Sequence, residues 1–118
     1  SEGVLGGRIT LQKFVELTST NPAKAYGLHP RKGSIAIGSD ADLVVWDHGD
    51  TIVRNADLHH AVDYTPYEGM ALKAWPALTL SRGEVVWDGR DCVAREGRGR
   101  FLRCGRPTLL PQRPEGRP

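Results

Sequence analysis

Residues 32–47 read KGSIAIGSDADLVVWD, and the rest of the predicted fold is arranged around them. Two glycines bound the segment 33–38, in which Ile35 and Ile37 alternate with smaller residues. This period of two predicts a half-buried strand. The apolar run LVVW at 43–46 does not alternate, which predicts a second strand covered on both faces.

The residues that join these strands, Gly38-Ser39-Asp40, predict a turn. Glycine tolerates positive φ, and Ser and Asp side chains bond the nearby backbone. Asp40 and Asp42 also resemble a carboxylate pair for acid–base chemistry. Their place beside an apolar strand favours a structural role, in which they set the turn and keep the end of the strand solvated.

Two short helices are predicted ahead of the strands. Thr10 is placed to cap a helix over 11–20, whose apolar residues recur at helical spacing. Asn21-Pro22 predicts the start of a second helix, PAKAY, which Gly27 ends. Each helix has one apolar stripe and therefore needs a partner surface.

The remaining strands follow the helices and do not alternate with them. This order predicts part of an antiparallel or mixed β-sandwich and excludes a doubly wound sheet. A long structured loop is predicted over 55–70, where Pro66 and Gly69 oppose regular structure. Gly83 marks a turn or bulge, and Asp88-Gly89 marks a turn. The further predicted strands are 51–53, 77–82, 84–87 and 92–94.

Composition places the chain among ordinary globular proteins. It has 118 residues, of which 39% are hydrophobic and 25% charged, and this is enough for one modest domain. No apolar run approaches the roughly 20 residues of a membrane helix. There is no signal-peptide pattern. The chain starts at Ser1 and not at Met, which favours a processed or excerpted segment, with cloning as an alternative explanation. A cytoplasmic location with no membrane partner is expected.

Cys92 and Cys104 lie twelve positions apart, with no CxxC pattern and no neighbouring histidine. One disulfide is arithmetically possible. Reduced thiols in a cytosolic protein are the simpler interpretation, and this spacing does not predict a zinc site.

Charge is distributed unevenly along the chain. Residues 95–118 contain seven Arg and two Glu, a balance of +5, whereas residues 1–94 have a balance of −3. The Arg- and Pro-rich tail is predicted to be irregular or disordered. It lacks interleaved aromatics and a recognised binding motif, so specific nucleic-acid binding is not predicted.

Adjacent histidines form the core of the one metal-like cluster in the sequence, His59-His60 with Asp57, Asp63 and Glu68. Neighbouring residues on a strand point to opposite faces, which is poor geometry for shared ligation. A structural role in bonding the loop backbone is favoured over a metal site.

Three aromatic residues, Tyr64, Tyr67 and Trp75, lie in or beside the same loop. They could line a ligand pocket. Anchoring of the loop to the body, or a place in a subunit interface, is favoured because Tyr and Trp combine apolar area with a polar group.

Most of residues 1–102 resembles the C-terminal portion of the D-hydantoinase/dihydropyrimidinase family of metal-dependent cyclic amidohydrolases. The order of the motifs is more specific than the GSDADLVVWD strand alone, which many amidohydrolases share. The resembling stretches are SEGVLGGRITLQKFVELTSTNPAKAYGL, PRKGSIAIGSDADLVVWD, NADLHHAVDYTPYEGM, LSRGEVVWDG and AREGRGRFL.

The resemblance implies an α/β parent, a (β/α)₈ (TIM) barrel with a small β-sandwich built from both chain ends. Residues 1–30 would be closing helices of the barrel. Residues 31–94, including a loop over 55–76, would be the C-terminal share of the sandwich, followed by the tail at 95–118. The rest of the polypeptide and further subunits of a homo-oligomer, a tetramer, would be the partners, and Phe101-Leu102 could dock on a neighbouring subunit.

The implied reaction is hydrolysis of the ring amide of hydantoins or dihydropyrimidines by a hydroxide that bridges two divalent metal ions, expected to be zinc. The family's ligands include an HxH pair, a bridging lysine, further histidines and a catalytic aspartate, all on strands that would precede Ser1. No HxH occurs here, since the histidines are His29, His48 and the adjacent pair. No residue of this chain therefore receives a catalytic, metal-binding or substrate-binding role, and the chain alone is predicted to be inactive. Two alternatives are a non-catalytic scaffold relative without the metal centre and an independent β-rich interaction module.

Overall fold

The computed structural model describes residues 1–109, which form a short helical segment followed by a three-stranded antiparallel sheet of order β1-β2-β3. A π-helical turn separates the two α-helices, and a 3₁₀ turn follows the first strand. The elements are α1 (Leu11–Val15), the π turn (Glu16–Thr20), α2 (Asn21–Ala25), β1 (Leu43–Ile52), the 3₁₀ turn (Asn55–Asp57), β2 (Ala71–Ser81) and β3 (Glu84–Trp87).

The helical segment starts where the sequence predicts but is continuous across the predicted break. The Thr10 hydroxyl accepts a hydrogen bond from the Lys13 N–H at 3.1 Å, so the predicted N-cap is confirmed. A second α-helix begins at Asn21-Pro22 as predicted, but Asn21 does not cap it, because Thr20 and Asn21 both have helical backbone angles. Proline cannot donate to the helical ladder, and the wider π turn before Pro22 accommodates it.

Gly27 ends the helix as predicted. Its φ is +65°, its N–H donates to Lys24 O at 3.2 Å, and the Leu28 N–H donates to Ala23 O at 2.8 Å. These two bonds form a Schellman motif, in which a left-handed glycine satisfies carbonyls of the last turn. A residue with a Cβ would be strained at this position.

Strands β2 and β3 form a tight hairpin. Ser81 pairs with Glu84, and the two residues between them, Arg82 and Gly83, have φ of +52° and +79°. Two successive positive φ values are typical of a type I′ turn, whose twist matches the strands. The prediction of a turn at Gly83 is confirmed, and the following residues fold back on β2.

Strand β2 begins earlier than predicted, at Ala71, so the loop predicted over 55–76 ends at residue 70. Pro76 is unusual in such a strand, because proline cannot donate to the ladder. It lies opposite Trp46 beside a register shift between Val45 and Trp46, an irregularity of the kind that tolerates proline in a sheet.

The strand predicted over 33–38 is wrong. Ile35 and Ile37 are 89% and 108% exposed, and neither belongs to a strand. The segment turns instead, with the Ser39 N–H donating to Ala36 O at 3.0 Å. The Ser34 and Ser39 hydroxyls both donate to Pro30 O, so the serines fold this loop on itself.

Two further predicted short strands, 51–53 and 92–94, are not separate strands in the structure. The strand predicted over 51–53 is the end of β1, which reaches Ile52 after a register shift. The strand predicted over 92–94 is a single bridge between Trp87 and Cys92. The predicted turn before it is confirmed, since Asp88 Oδ1 accepts from the N–H groups of Arg90 and Asp91 at 3.0 and 2.8 Å.

The tail has no regular secondary structure over 95–109, as predicted. The remainder of the predicted irregular tail, 110–118, lies outside the described residues. None of the helices within residues 1–109 has the length and apolar character that crossing a bilayer requires.

Hydrophobic burial is sparse throughout the described residues. Ala23 and Val53 are the buried apolar residues, and the run Val44–Trp46, predicted to be covered on both faces, is about half exposed. The accessible surface is 9814 Å², against about 6,300 Å² for a folded monomer of this length. The radius of gyration is 17.6 Å, against about 13 Å for a compact domain. The helix and sheet thus have apolar faces that residues 1–109 do not cover.

Candidate functional site

An open groove of about 820 Å³ separates the helical segment from the start of β1. Phe14 on the helix and Trp46 on β1 approach edge to face, with ring centroids 6.2 Å apart. The loop between helix and strand supplies Lys32, Asp40 and Asp42 to its wall. The groove is therefore mostly apolar with one charged side.

The charged side is an ion-pair cluster around Lys32. Its ammonium lies 2.9 Å from Asp40 Oδ2 and donates a hydrogen bond to Asp42 Oδ2, while Arg31 Nε lies 3.0 Å from Asp40 Oδ2. The other oxygen of Asp42 accepts from the Arg82 N–H at 2.8 Å. Asp42 therefore joins the loop to the β2–β3 hairpin.

The cluster holds its charges firmly at neutral pH. Hydrogen bonding to Lys32 keeps the pKa of Asp40 below its ordinary value. Partial burial acts to raise the pKa of Asp42, but bonds from Lys32 and the Arg82 N–H outweigh it and lower the pKa. Burial likewise acts to lower the pKa of Lys32, and the two aspartates reverse this and raise it. Neither carboxylate is tuned to exchange protons near pH 7, which favours the structural role over acid–base chemistry.

The histidine pair predicted as a loop-bonding element has two separate environments. The His59 ring packs edge to face on Trp87 at 5.2 Å, and its Nε2 lies 3.4 Å from Arg90 O. His60 Nδ1 accepts from the Val62 N–H at 3.3 Å. These contacts fit the structural interpretation.

The acidic members of this cluster do not join the histidines in a ligand set. Glu68 Oε2 accepts from the Asn55 N–H at 2.6 Å, which fastens the two ends of the loop. Across residues 1–109, no three His, Cys, Asp or Glu side chains are grouped closely enough to hold a metal ion. The donor set present thus does not fit a binuclear metal centre.

The three aromatic residues predicted as loop anchors are not gathered at the groove. Tyr64 and Tyr67 are exposed on the loop, and Trp75 is half-buried on β2 opposite Asp47. The loop is fastened by its backbone, through Val53 N–H to Met70 O at 3.0 Å and Gly69 N–H to Val53 O at 2.9 Å. Anchoring of Tyr64 and Tyr67 on the chain's own body is therefore not observed.

A second ion-pair cluster surrounds Arg98, which no sequence pattern predicts. Its side chain is 13% exposed, and the guanidinium lies 3.0 Å from Glu84 Oε2 and donates to Ser81 O, while the Arg82 side chain donates to Arg98 O. The bond from Arg98 holds the pKa of Glu84 below its ordinary value. No local signal marks Arg98, because its partners come close only after the hairpin closes. Cys92 and Cys104 are both free and exposed.

Comparison with known proteins gives concordant results. The sequence model of the amidohydrolase family matches residues 5–86. The chain is 45% identical over 103 residues to a D-hydantoinase of Ralstonia pickettii, covering 86% of this chain and 22% of that protein. It is 48% identical over 104 residues to a D-hydantoinase of Geobacillus stearothermophilus, covering 87% and 22%.

A crystal structure of a D-hydantoinase superposes with a TM-score of 0.85 at 44% identity, covering 89% of this chain and 23% of that chain. The chain thus spans between a fifth and a quarter of the length of the relatives it matches.

Proposed function

Because this chain belongs to the amidohydrolase family, we propose that it is the C-terminal part of a cyclic amidohydrolase of the D-hydantoinase and dihydropyrimidinase type. The complete protein would hydrolyse the ring amide of a hydantoin or dihydropyrimidine. The observation that carries the proposal is the 45% identity to a D-hydantoinase over 103 residues, together with the structural match at a TM-score of 0.85.

Chemistry would reside in residues outside this chain. A pair of divalent metal ions, zinc by resemblance, would supply an activated water, and the donor set within residues 1–109 does not fit such a centre. The contribution of this chain would be to hold its own loop, strands and hairpin in fixed relative positions. The Lys32 cluster holds the loop, β1 and the β2–β3 hairpin together, and the Arg98 cluster holds the segment that follows β3.

We further propose the division of the chain that the resemblance implies. Residues 1–30 would close the barrel and 31–94 would join a β-sandwich, with the tail following at 95–118. The uncovered apolar faces of helix and sheet support this, because each needs a surface that residues 1–109 do not supply. A cytoplasmic location belongs to the same proposal and is supported by two free thiols.

Assembly into a homo-oligomer, a tetramer by resemblance, is a separate part of the proposal. Its support is the exposure of large aromatic side chains on the loop and tail, where Tyr64 is 68%, Tyr67 60% and Phe101 92% exposed. Aromatic residues are enriched at the centres of protein interfaces.

The test is turnover and metal content of the complete protein. We expect opening of the hydantoin or dihydrouracil ring, its loss on treatment with a chelator, and its return when zinc, cobalt or manganese is added. A folded protein that binds no divalent metal and opens neither ring would contradict the proposal and would favour the non-catalytic scaffold relative.

A further inference from the structure

We propose that residues 98–108 form a two-ended strap that ties the C-terminal end of the helical segment to the β2–β3 hairpin. The strap closes the chain around the groove, so that helix and sheet keep a fixed separation. The inference rests on contacts within this chain and does not depend on the activity proposed above.

The first end of the strap is the Arg98 cluster. The Arg98 side chain donates to Ser81 O and to Glu84 Oε2, and the Arg82 side chain donates to Arg98 O. These bonds run in both directions between the strap and the hairpin turn. Arg98 is also shielded from solvent, which strengthens a charge-assisted bond.

The second end is a backbone contact with the end of the helix. The Gly105 N–H donates to Gly27 O at 2.8 Å, and the Thr108 N–H donates to Lys24 O at 3.0 Å. Lys24 O already accepts from the Gly27 N–H, so Thr108 supplies a second donor to this carbonyl, and Gly105 supplies a donor to the Gly27 carbonyl just beyond the helix. The approach is close because both contact residues are glycines, and a Cβ on Gly27 would lie 2.2 Å from Gly105 O.

Helix and sheet have few other connections across the described residues. The backbones of α1 and α2 do not approach those of the three strands, and the groove lies between them. The Phe14–Trp46 contact and the loop held by Lys32 join them on one side. The strap adds a second link, and the seven residue-to-residue steps from Arg98 to Gly105 cannot span more than about 25 Å.

Amide hydrogen exchange of the complete protein tests both ends of the strap. In the unmodified protein we expect protection at the Gly105 and Thr108 amides. Gly105→Val places a branched side chain where a Cβ would already lie 3.2 Å from Gly27 O, so it should raise exchange at residues 105–108 by about tenfold or more. The matched control is Gly99→Val, since a Cβ at Gly99 meets nothing within 4 Å, and it should leave this exchange unchanged.

The second variant separates a two-ended strap from a local helix cap. Substituting both arginines, Arg82→Gln with Arg98→Gln, removes all three side-chain bonds of the hairpin end without touching the helix end. This double variant should also speed exchange at Gly105 and Thr108, because tethering raises their effective concentration at the helix. Arg95→Gln is its control, since Arg95 is exposed and forms no ion pair among residues 1–109.

Two results would overturn the strap. Unprotected Gly105 and Thr108 amides in the unmodified protein would show that the helix end of the strap is not bound. This measurement does not depend on whether Gly105→Val folds. Exchange at these amides that the double variant of Arg82 and Arg98 leaves unchanged would show that the two ends are not coupled.

Discussion

Asp42 joins more separate parts of this chain than its position in the sequence suggests. It precedes β1, bonds Lys32 ten residues earlier, and accepts from the Arg82 N–H forty residues later. The turn residue that donates this bond, Arg82, has a positive φ of +52°. A single carboxylate therefore holds both the loop and the strained hairpin turn.

We expect Asp42→Ala to lower the free energy of unfolding of the complete protein by about 1–2 kcal/mol, a range reduced because the side chain is partly exposed. Asp42→Asn should cost less, since the amide oxygen can still accept from Arg82. Chemical denaturation measures both. Asp47→Ala, which removes an exposed carboxylate with no ion pair among residues 1–109, is the control. Equal losses in Asp42→Ala and Asp47→Ala would contradict the role of Asp42.

The Lys32 cluster also predicts a pH dependence with two limits. The lowered pKa values of Asp40 and Asp42 give stability that is present above their ordinary value of 3.8 and lost as pH falls through the folded values. The raised pKa of Lys32 gives stability that is present below 10.5 and lost as pH rises through its folded value.

The difference in unfolding free energy between the unmodified protein and Lys32→Met should therefore be level from about pH 5 to about pH 10 and shrink on either side. Denaturation at a series of pH values measures this. A difference that grows as the pH falls below the level region would show that Lys32 does not stabilise the fold through its ion pairs with Asp40 and Asp42.

At the scale of elements, local chemistry in the sequence predicted the ends of structures better than their extent. Thr10, Gly27 and Gly83 act through their own neighbours, and each is where the sequence placed it. Pro22 lies inside a continuous helical segment and Pro76 lies inside β2, because a π turn and a register shift accommodate the two prolines. Ile35 and Ile37 alternate with smaller residues as in a strand, but both are exposed and pair with no strand.

The same limit applies to the clusters. The carboxylates at Asp40 and Asp42 could be recognised as structural from their place beside a strand. Their partners could not, since Lys32 and Arg82 reach them only through a folded loop and a closed hairpin. Arg98 depends on the same hairpin and had no signal in sequence.

Thr10→Ala should reduce the stability of the helical segment by about 1 kcal/mol, because it removes the acceptor for the Lys13 N–H. Thr10→Ser keeps the hydroxyl and should retain most of the stability. Amide exchange at Lys13 in the complete protein reports the change at the site. A serine variant as unstable as the alanine variant would mean that packing of the threonine methyl group, and not the cap, is responsible.

At the scale of the molecule, the main feature is the large solvent-accessible surface of the chain. The chain exposes roughly half again as much surface as a compact protein of its length, and its buried apolar residues within the described region are Ala23 and Val53. Residues 1–109 leave the apolar residues of the helix, most of strand β1 and the groove partly open to solvent. Such a chain is expected to need a larger body around it.

The isolated 118-residue chain should therefore associate and melt without a cooperative transition, since large exposed apolar patches favour aggregation. Sedimentation and thermal melting followed by circular dichroism measure both properties. A monomer with a single sharp transition would instead support an independent β-rich interaction module.

We propose that this chain is a scaffold for chemistry performed by residues elsewhere in the complete protein. The most direct measurement is ring opening of hydantoin, followed at equal molar concentration for the complete protein and for the purified 118-residue chain, each with zinc added. We expect the complete protein to open the hydantoin ring and the 118-residue chain alone to show no turnover. Metal-dependent turnover by the chain alone would contradict it.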